Sequence, residues 1–158
     1  MKISTICFLI KENQIFLAMK KVRFGKGYLN GYGGRKKSKE SISDCSRRET
    51  QEESGVRIKS GKVVAIINFF KEGKHLFKCY VFFVYDWEGE FKASDEMNLP
   101  IPYFTQCLPY HLMWHGDKVW LPLLLDGRRF VADLVYDRKM KKVKSFSADF
   151  NKAPRVRL

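Results

Sequence analysis

The chain has 158 residues, room for one core of ordinary size rather than two. Hydrophobic residues make up 45% and aromatics 15%, which excludes a disordered chain. Lys and Arg number 30 against 17 Asp and Glu, and the formal charge of +13 points to an anionic partner without choosing among nucleotide, RNA and membrane surface.

In chain order, residues 3–10 and 15–20 read as two short strands around the polar turn Lys11 to Gln14. A glycine-punctuated loop follows, ending at Gly34, in which the backbone turns sharply or comes close to a ligand. Ser41 to Asp44 resembles a capping box that opens a helix, and Gly55 is placed as its C-terminal stop, so the helix is expected over 41–54. Residues 62–71 and 74–86 are rich in Val, Ile, Phe and Tyr and flank Glu72-Gly73, a hairpin signal. Pro100, Pro102 and Pro109 predict irregular backbone before a short second helix near Tyr110 to His115. Residues 120–125, 129–136 and 143–150 read as the last strands, with a loose tail from Asn151. The expected class is α+β.

The four cysteines, Cys7, Cys45, Cys79 and Cys107, show no C-x-x-C spacing, which favours a reducing compartment over a disulfide or zinc framework. The longest apolar stretches, 80–85 and 119–125, are far shorter than the ~20 residues a membrane span requires. No signal peptide pattern follows Lys2, so a cytoplasmic protein without membrane contact is expected.

The helix at 41–54 carries the chemistry. At ~100° per residue, Ile42, Cys45, Ser46, Glu49 and Glu53 share one face with Glu52 at its edge. Two carboxylates thus stand where an amphipathic helix would put Leu or Ile. Like charges so placed repel unless a cation neutralises them, and hard oxygen donors suit Mg²⁺ or Mn²⁺. The alternative is a solvated charged face laced by Asp44–Arg48 and Arg48–Glu52 pairs.

Gly34, five residues, Glu40, seven residues, then Arg48-Glu49-Thr50-Gln51-Glu52-Glu53-Ser54-Gly55-Val56 resembles the Nudix box. Only Thr50, at a position usually aliphatic, departs from it, a matter of packing rather than chemistry. Further stretches, among them Met19 to Lys21, Asn30 to Gly34, Ser94 to Met97 and Met113-Trp114 through Leu125, are similar to the animal-type oxidised-purine nucleoside triphosphate diphosphatases. The resemblance implies a single Nudix domain over 1–158, an α/β/α sandwich with a mixed sheet. It implies Mg²⁺-dependent hydrolysis of nucleotides such as 8-oxo-dGTP to the monophosphate and pyrophosphate; a monomer is expected. Carried over residue by residue, Glu49, Glu52, Glu53 and Glu96 would bind metal, with Glu53 or Glu96 as base. Gly33 and Gly34 would lie near the phosphates and Lys20 would neutralise them. Thr5, Asn30, Phe69, Trp114 and Asp117 would form the base pocket, while Glu40 and Arg48 would brace loop against helix.

One departure bears on substrate. Trp114-His115-Gly116-Asp117 has Gly116 where the family carries the first of two acids, leaving Asp117 as the lone carboxylate to pair with the base. An ionised carboxylate only accepts, so a guanine-type edge with two donors is the expected preference. Other readings are a Nudix hydrolase of another nucleotide or of capped RNA, or an idle nucleotide- or RNA-binding protein. The last would use the basic runs Arg35 to Lys39 and Arg138 to Lys144.

Overall fold

In a computed structural model that describes residues 1–154 and 156–158, eight strands form one mixed sheet. They are β1 (Ile3–Lys11), β2 (Gln14–Met19), β3 (Leu29–Asn30), β4 (Arg57–Lys71), β5 (Lys74–Glu88), β6 (Ile101–Phe104), β7 (Phe130–Tyr136) and β8 (Val143–Asp149). The order is β3-β2-β1-β5-β4-β7-β8, with β6 also paired to β2. The β1–β5 and β4–β7 pairs are parallel and the others antiparallel. Two helices, α1 (Ile42–Ser54) and α2 (Asp117–Leu125), cover it.

Alternation along the strands divides the apolar side chains between two cores. On β1, Cys7 and Leu9 face a cluster that includes Val63, Phe82, Val84 and Met97, against which Ile42 of α1 packs. Phe8 faces the other cluster, filled by Val81, Phe83 and Phe130 and closed by Trp120, Leu121 and Leu124 of α2. This two-faced burial with a helix on each side is the expected sandwich.

The helix signals at α1 are borne out. Ser41 caps it by accepting from the Asp44 N–H at 3.0 Å, and Gly55, at φ +81°, donates to Gln51 O at 2.9 Å. Glu72 and Gly73 both take positive φ in the β4–β5 hairpin.

Four expectations need correction. Residues 120–125 are not a strand; they belong to α2. A short apolar run does not distinguish buried strand from buried helix, but Pro122 argued against a strand, and burial at Trp120, Leu121 and Leu124 has helical spacing. The second helix at Tyr110 to His115 is only a 3-10 turn, Tyr110–Leu112. The proline stretch holds β6, an edge strand whose Pro102 lies opposite Phe16, tolerable at an edge where the missing N–H of proline breaks no further ladder. Of the tail expected to be loose, residue 155 lies outside the described residues, while Val156 and Leu158 pair with β4. Val63 N–H donates to Val156 O and Leu158 N–H to Gly61 O, each at 2.9 Å. They take a stretch of β4 that precedes its pairing with β7, which begins at Ala65. Among the described residues no helix is long and apolar enough to cross a membrane.

Candidate active site

The loop before α1 and the helix itself are held together by one guanidinium. Arg48 reaches Glu40 through Nε at 2.6 Å and through its second terminal nitrogen at 3.0 Å. Its other terminal nitrogen contacts Glu49 at 2.6 Å and Glu52 at 3.1 Å. The fork matches a carboxylate bidentately, and Arg48 holds the Glu40 carboxyl down to about 2.

Glu53 is the deepest of the acids, 3% exposed. Its Oε2 accepts from the Gly33 N–H at 2.9 Å, Lys20 Nζ stands 3.9 Å from Oε1, and Oε1 has no hydrogen-bond partner among the described residues. Burial pushes its pKa up to about 7, against the opposing pull of the Gly33 N–H and Lys20. Gly33 and Gly34 let this loop lie close. A Cβ at Gly33 would run into the Thr5 carbonyl of β1, and one at Gly34 would come within 2.5 Å of the Glu49 carboxylate. Glu49, Glu52, Glu53, Ser94, Asp95 and Glu96 together line a pocket of about 370 Å³.

Beside it lies a larger cleft of about 430 Å³. Thr5, Lys20, Asn30, Gly33, Gly34, Phe69, Trp114 and Asp117 all line it, although the sequence scatters them over more than a hundred positions. Glu49 and Glu96 line both spaces. Phe24 and Tyr28 flank Trp114, with ring centroids 4.5 and 5.2 Å away. Asp117, 5% exposed at the start of α2, is pushed up to about 8 by burial. Burial thus favours the neutral acid at pH 7 over the ionised carboxylate expected from sequence. Such an acid offers one donor and one acceptor.

The arrangement is an aromatic cleft that shares Glu49 and Glu96 with a pocket of acids. NUDIX domain, as a family, matches residues 1–101. The chain belongs to the NUDIX domain family. It is 32% identical to the "Oxidized purine nucleoside triphosphate hydrolase" of Danio rerio over 150 residues, covering 90% of this chain and 96% of that protein. The mouse protein of the same name is 29% identical over 153 residues, covering 92% and 97%. Among solved structures, the MutT protein of Bacillus halodurans superposes with a TM-score of 0.80 at 26% identity, over 94% of this chain and 98% of that one. This is a Nudix hydrolase with the Nudix fold.

Nudix hydrolases generally use divalent metal ions. Among the described residues, no three His, Cys, Asp or Glu side chains already form a finished cation cage. The donor set nevertheless fits a hard cation. It consists of carboxylates, one buried oxygen of Glu53 is unpartnered, and the charges of Glu49 and Glu96 both oppose ionisation of Glu53. In this arrangement Glu49 and Glu52 point their charge at Arg48 instead, and Glu96 pairs with Arg23 at 3.3 Å.

Thr50 is fully buried with an unpartnered hydroxyl, so the box's one departure falls in packed interior. Gly116 is the more informative departure. Its φ of −82° suits any residue, yet a Cβ there would collide with the Tyr136 hydroxyl. The place of the first acid is taken. Sequence reading missed Tyr136, Tyr28, Phe24 and Asp95. Asp95 adjoins Glu96 and could have been found there, whereas Tyr136 reaches the cleft only through the pairing of β7 with β4.

Proposed function

We propose that the chain is a nucleoside triphosphate pyrophosphohydrolase, working as a single Nudix domain over residues 1–158, that takes oxidised purine nucleotides such as 8-oxo-dGTP. The observation that carries this reading is that Glu49 and Glu96 belong both to the aromatic cleft and to the acid pocket. A purine stacked on Trp114 leaves its phosphates beside the carboxylates. The names of the zebrafish and mouse relatives support the same substrate class.

Glu49, Glu52, Glu53 and Glu96 would hold Mg²⁺, or Mn²⁺, which would set positive charge against the phosphate oxygens. Lys20, lining the same cleft, adds a cation on that side, and the Gly33 and Gly34 backbone lets the phosphates approach closely. Glu53 is the better-placed base of the two candidates. It is buried, accepts from the Gly33 N–H and keeps its other oxygen unpartnered among the described residues, whereas Glu96 is a third exposed and paired with Arg23. The water oxygen bonds to one phosphorus as the α–β phosphoanhydride bond breaks. The bridging oxygen leaves with the other phosphate group and the proton passes to the carboxylate, giving monophosphate and pyrophosphate. Arg48 and Glu40 brace the loop without touching substrate. The free cysteines, three of them buried, fit a reducing compartment such as the cytoplasm.

The test is a panel of normal and oxidised nucleoside triphosphates and a capped dinucleotide with Mg²⁺, read by pyrophosphate and monophosphate release. Oxidised purine triphosphates should be the best substrates. Release from the capped dinucleotide alone, or from none of the panel, would overturn the reading.

A further inference from the structure

Several polar atoms lining the cleft are buried without a partner. They are Asp117 Oδ2, the Tyr136 hydroxyl, and the indole N–H groups of Trp114 and Trp120. Buried polar groups are nearly always satisfied in folded proteins, and leaving one unpaired is costly. Four such groups line one cleft, where a ligand with matching donors and acceptors would pair with them. The required ligand is flat, to sit among aromatic rings, and carries donors and acceptors along one edge. A purine meets both conditions, so this inference rests on the nucleotide-hydrolase reading above.

Tyr136 is held where it would meet that edge. Its ring lies nearly parallel to Phe69, at 9° and 6.3 Å between centroids, and Phe69 stacks in turn on Phe77 at 4.9 Å. The hydroxyl occupies the space a side chain at Gly116 would need, immediately before Asp117. Burial drives its pKa well upward, so the hydroxyl stays neutral and can donate or accept by turning about its C–O bond. Trp114 and the Gly116 N–H stand on the side of its ionised form but are outweighed by burial, and no partner among the described residues meets full hydrogen-bond geometry.

We propose that the Tyr136 hydroxyl is a specificity-determining group which, with Asp117, hydrogen-bonds the edge of the substrate's purine. Gly116 is small because that hydroxyl must fit, and not because its backbone is unusual. A reader that switches between donating and accepting without ionising accommodates more than one oxidised base. The family's lost acid is thereby replaced from β7.

The test compares kcat/KM for wild type and Tyr136→Phe on oxidised guanine, oxidised adenine and purine riboside triphosphates with Mg²⁺. The last has no exocyclic group for the hydroxyl to reach. Tyr136→Phe should lose roughly 10- to 100-fold on at least one oxidised base, and several-fold less on purine riboside triphosphate. Phe keeps the ring against Phe69, and a melting temperature will confirm folding. Gly116→Ala is an independent approach, since it pushes the hydroxyl aside while leaving Tyr136 in place. It should lower the melting temperature and reproduce the same loss of selectivity, and adding Tyr136→Phe should recover part of the stability, because the next ring atom, Cζ, lies 3.1 Å from the added Cβ. A loss of the same factor on every nucleotide would make Tyr136 a structural residue and overturn the inference alone. Wild type that releases no pyrophosphate from any of them would overturn the hydrolase reading, and this inference with it.

Discussion

Replacing Asp117 by Asn separates the electrostatic cost of a buried acid from its hydrogen bonding. Burial raises the carboxyl from 3.8 to about 8. Between those values the folded protein holds a proton that the unfolded chain has released. Stability from this group is therefore whole below about pH 4, falls as pH rises, and levels off above about pH 8. Its titratable neighbours Cys79 and Tyr110 are pushed up to about 12, and Tyr136 higher still, so they remain neutral across this window.

Four pH units correspond to roughly 5 kcal/mol between the two protonation states. Water entering the cleft screens part of that, and about 2–4 kcal/mol is the expected fall in unfolding free energy. For a chain of this size this is about 5–15 °C in melting temperature. Asp117→Asn has the same shape and no charge, so its stability should lack this component. Wild type and variant should be within about 1 kcal/mol of each other at pH 5, with Asn the more stable by pH 8.5. Urea denaturation at half-unit steps without nucleotide or metal measures the difference, and the raised pKa of Glu53, common to both proteins, cancels. Parallel curves from pH 5 to 8.5 would refute the buried neutral acid, and the donor–acceptor role built on it.

Other consequences follow from the acid nest. Glu53→Gln should reduce turnover at least a thousandfold while melting no lower than wild type in metal-free buffer at pH 8, because it removes a buried charge; calorimetry and single-turnover kinetics check the pair. Mg²⁺ should raise the melting temperature of wild type and do so less for Glu52→Gln, whose side chain is 56% exposed and so is not needed for packing. Arg48→Ala should cost roughly 2–3 kcal/mol in urea denaturation, since it strips the bidentate partner from Glu40 and leaves Glu49 unpaired. Gly34→Ala should cut kcat far more than stability, because its Cβ displaces the Glu49 carboxylate rather than backbone.

What could be read from sequence and what could not divide along a physical line. The cap, the carboxylate stripe and the Gly55 stop of α1 are set by residues within one helix, where spacing alone places side chains on a face. The spacing also placed Glu49, Glu52 and Glu53 correctly, and the deepest is Glu53 as its inward position requires. The α2 error arose where periodicity is weakest, in the apolar run at 119–125. Tyr136 escaped for a different reason. Its role depends on a parallel crossover that brings β7 beside β4 and on an empty volume at Gly116, and neither leaves a local pattern. The raised pKa of Asp117 was equally illegible, since it comes from burial by residues far along the chain.

The two perturbed acids express one principle at opposite ends of the site. Glu53 among the carboxylates and Asp117 beside the aromatic rings are both pushed up by burial, and both have an unpartnered oxygen. Burial of this kind costs stability, because it withdraws charge and hydrogen-bonding capacity from water. On the proposed reading, a purine nucleotide with its cation would offset both at once, the base edge pairing with Asp117 and the cation with Glu53. Binding should therefore stabilise the protein more than the sum of cation alone and nucleoside alone only where the phosphate chain links the two ends. Melting shifts for Mg²⁺, for an oxidised guanine nucleoside, for both together unlinked, and for Mg²⁺ with a non-hydrolysable oxidised triphosphate measure that coupling. If the unlinked pair matched the triphosphate at equal saturation, the acid pocket and the aromatic cleft would be independent sites, and the continuity through Glu49 and Glu96 would have no energetic meaning.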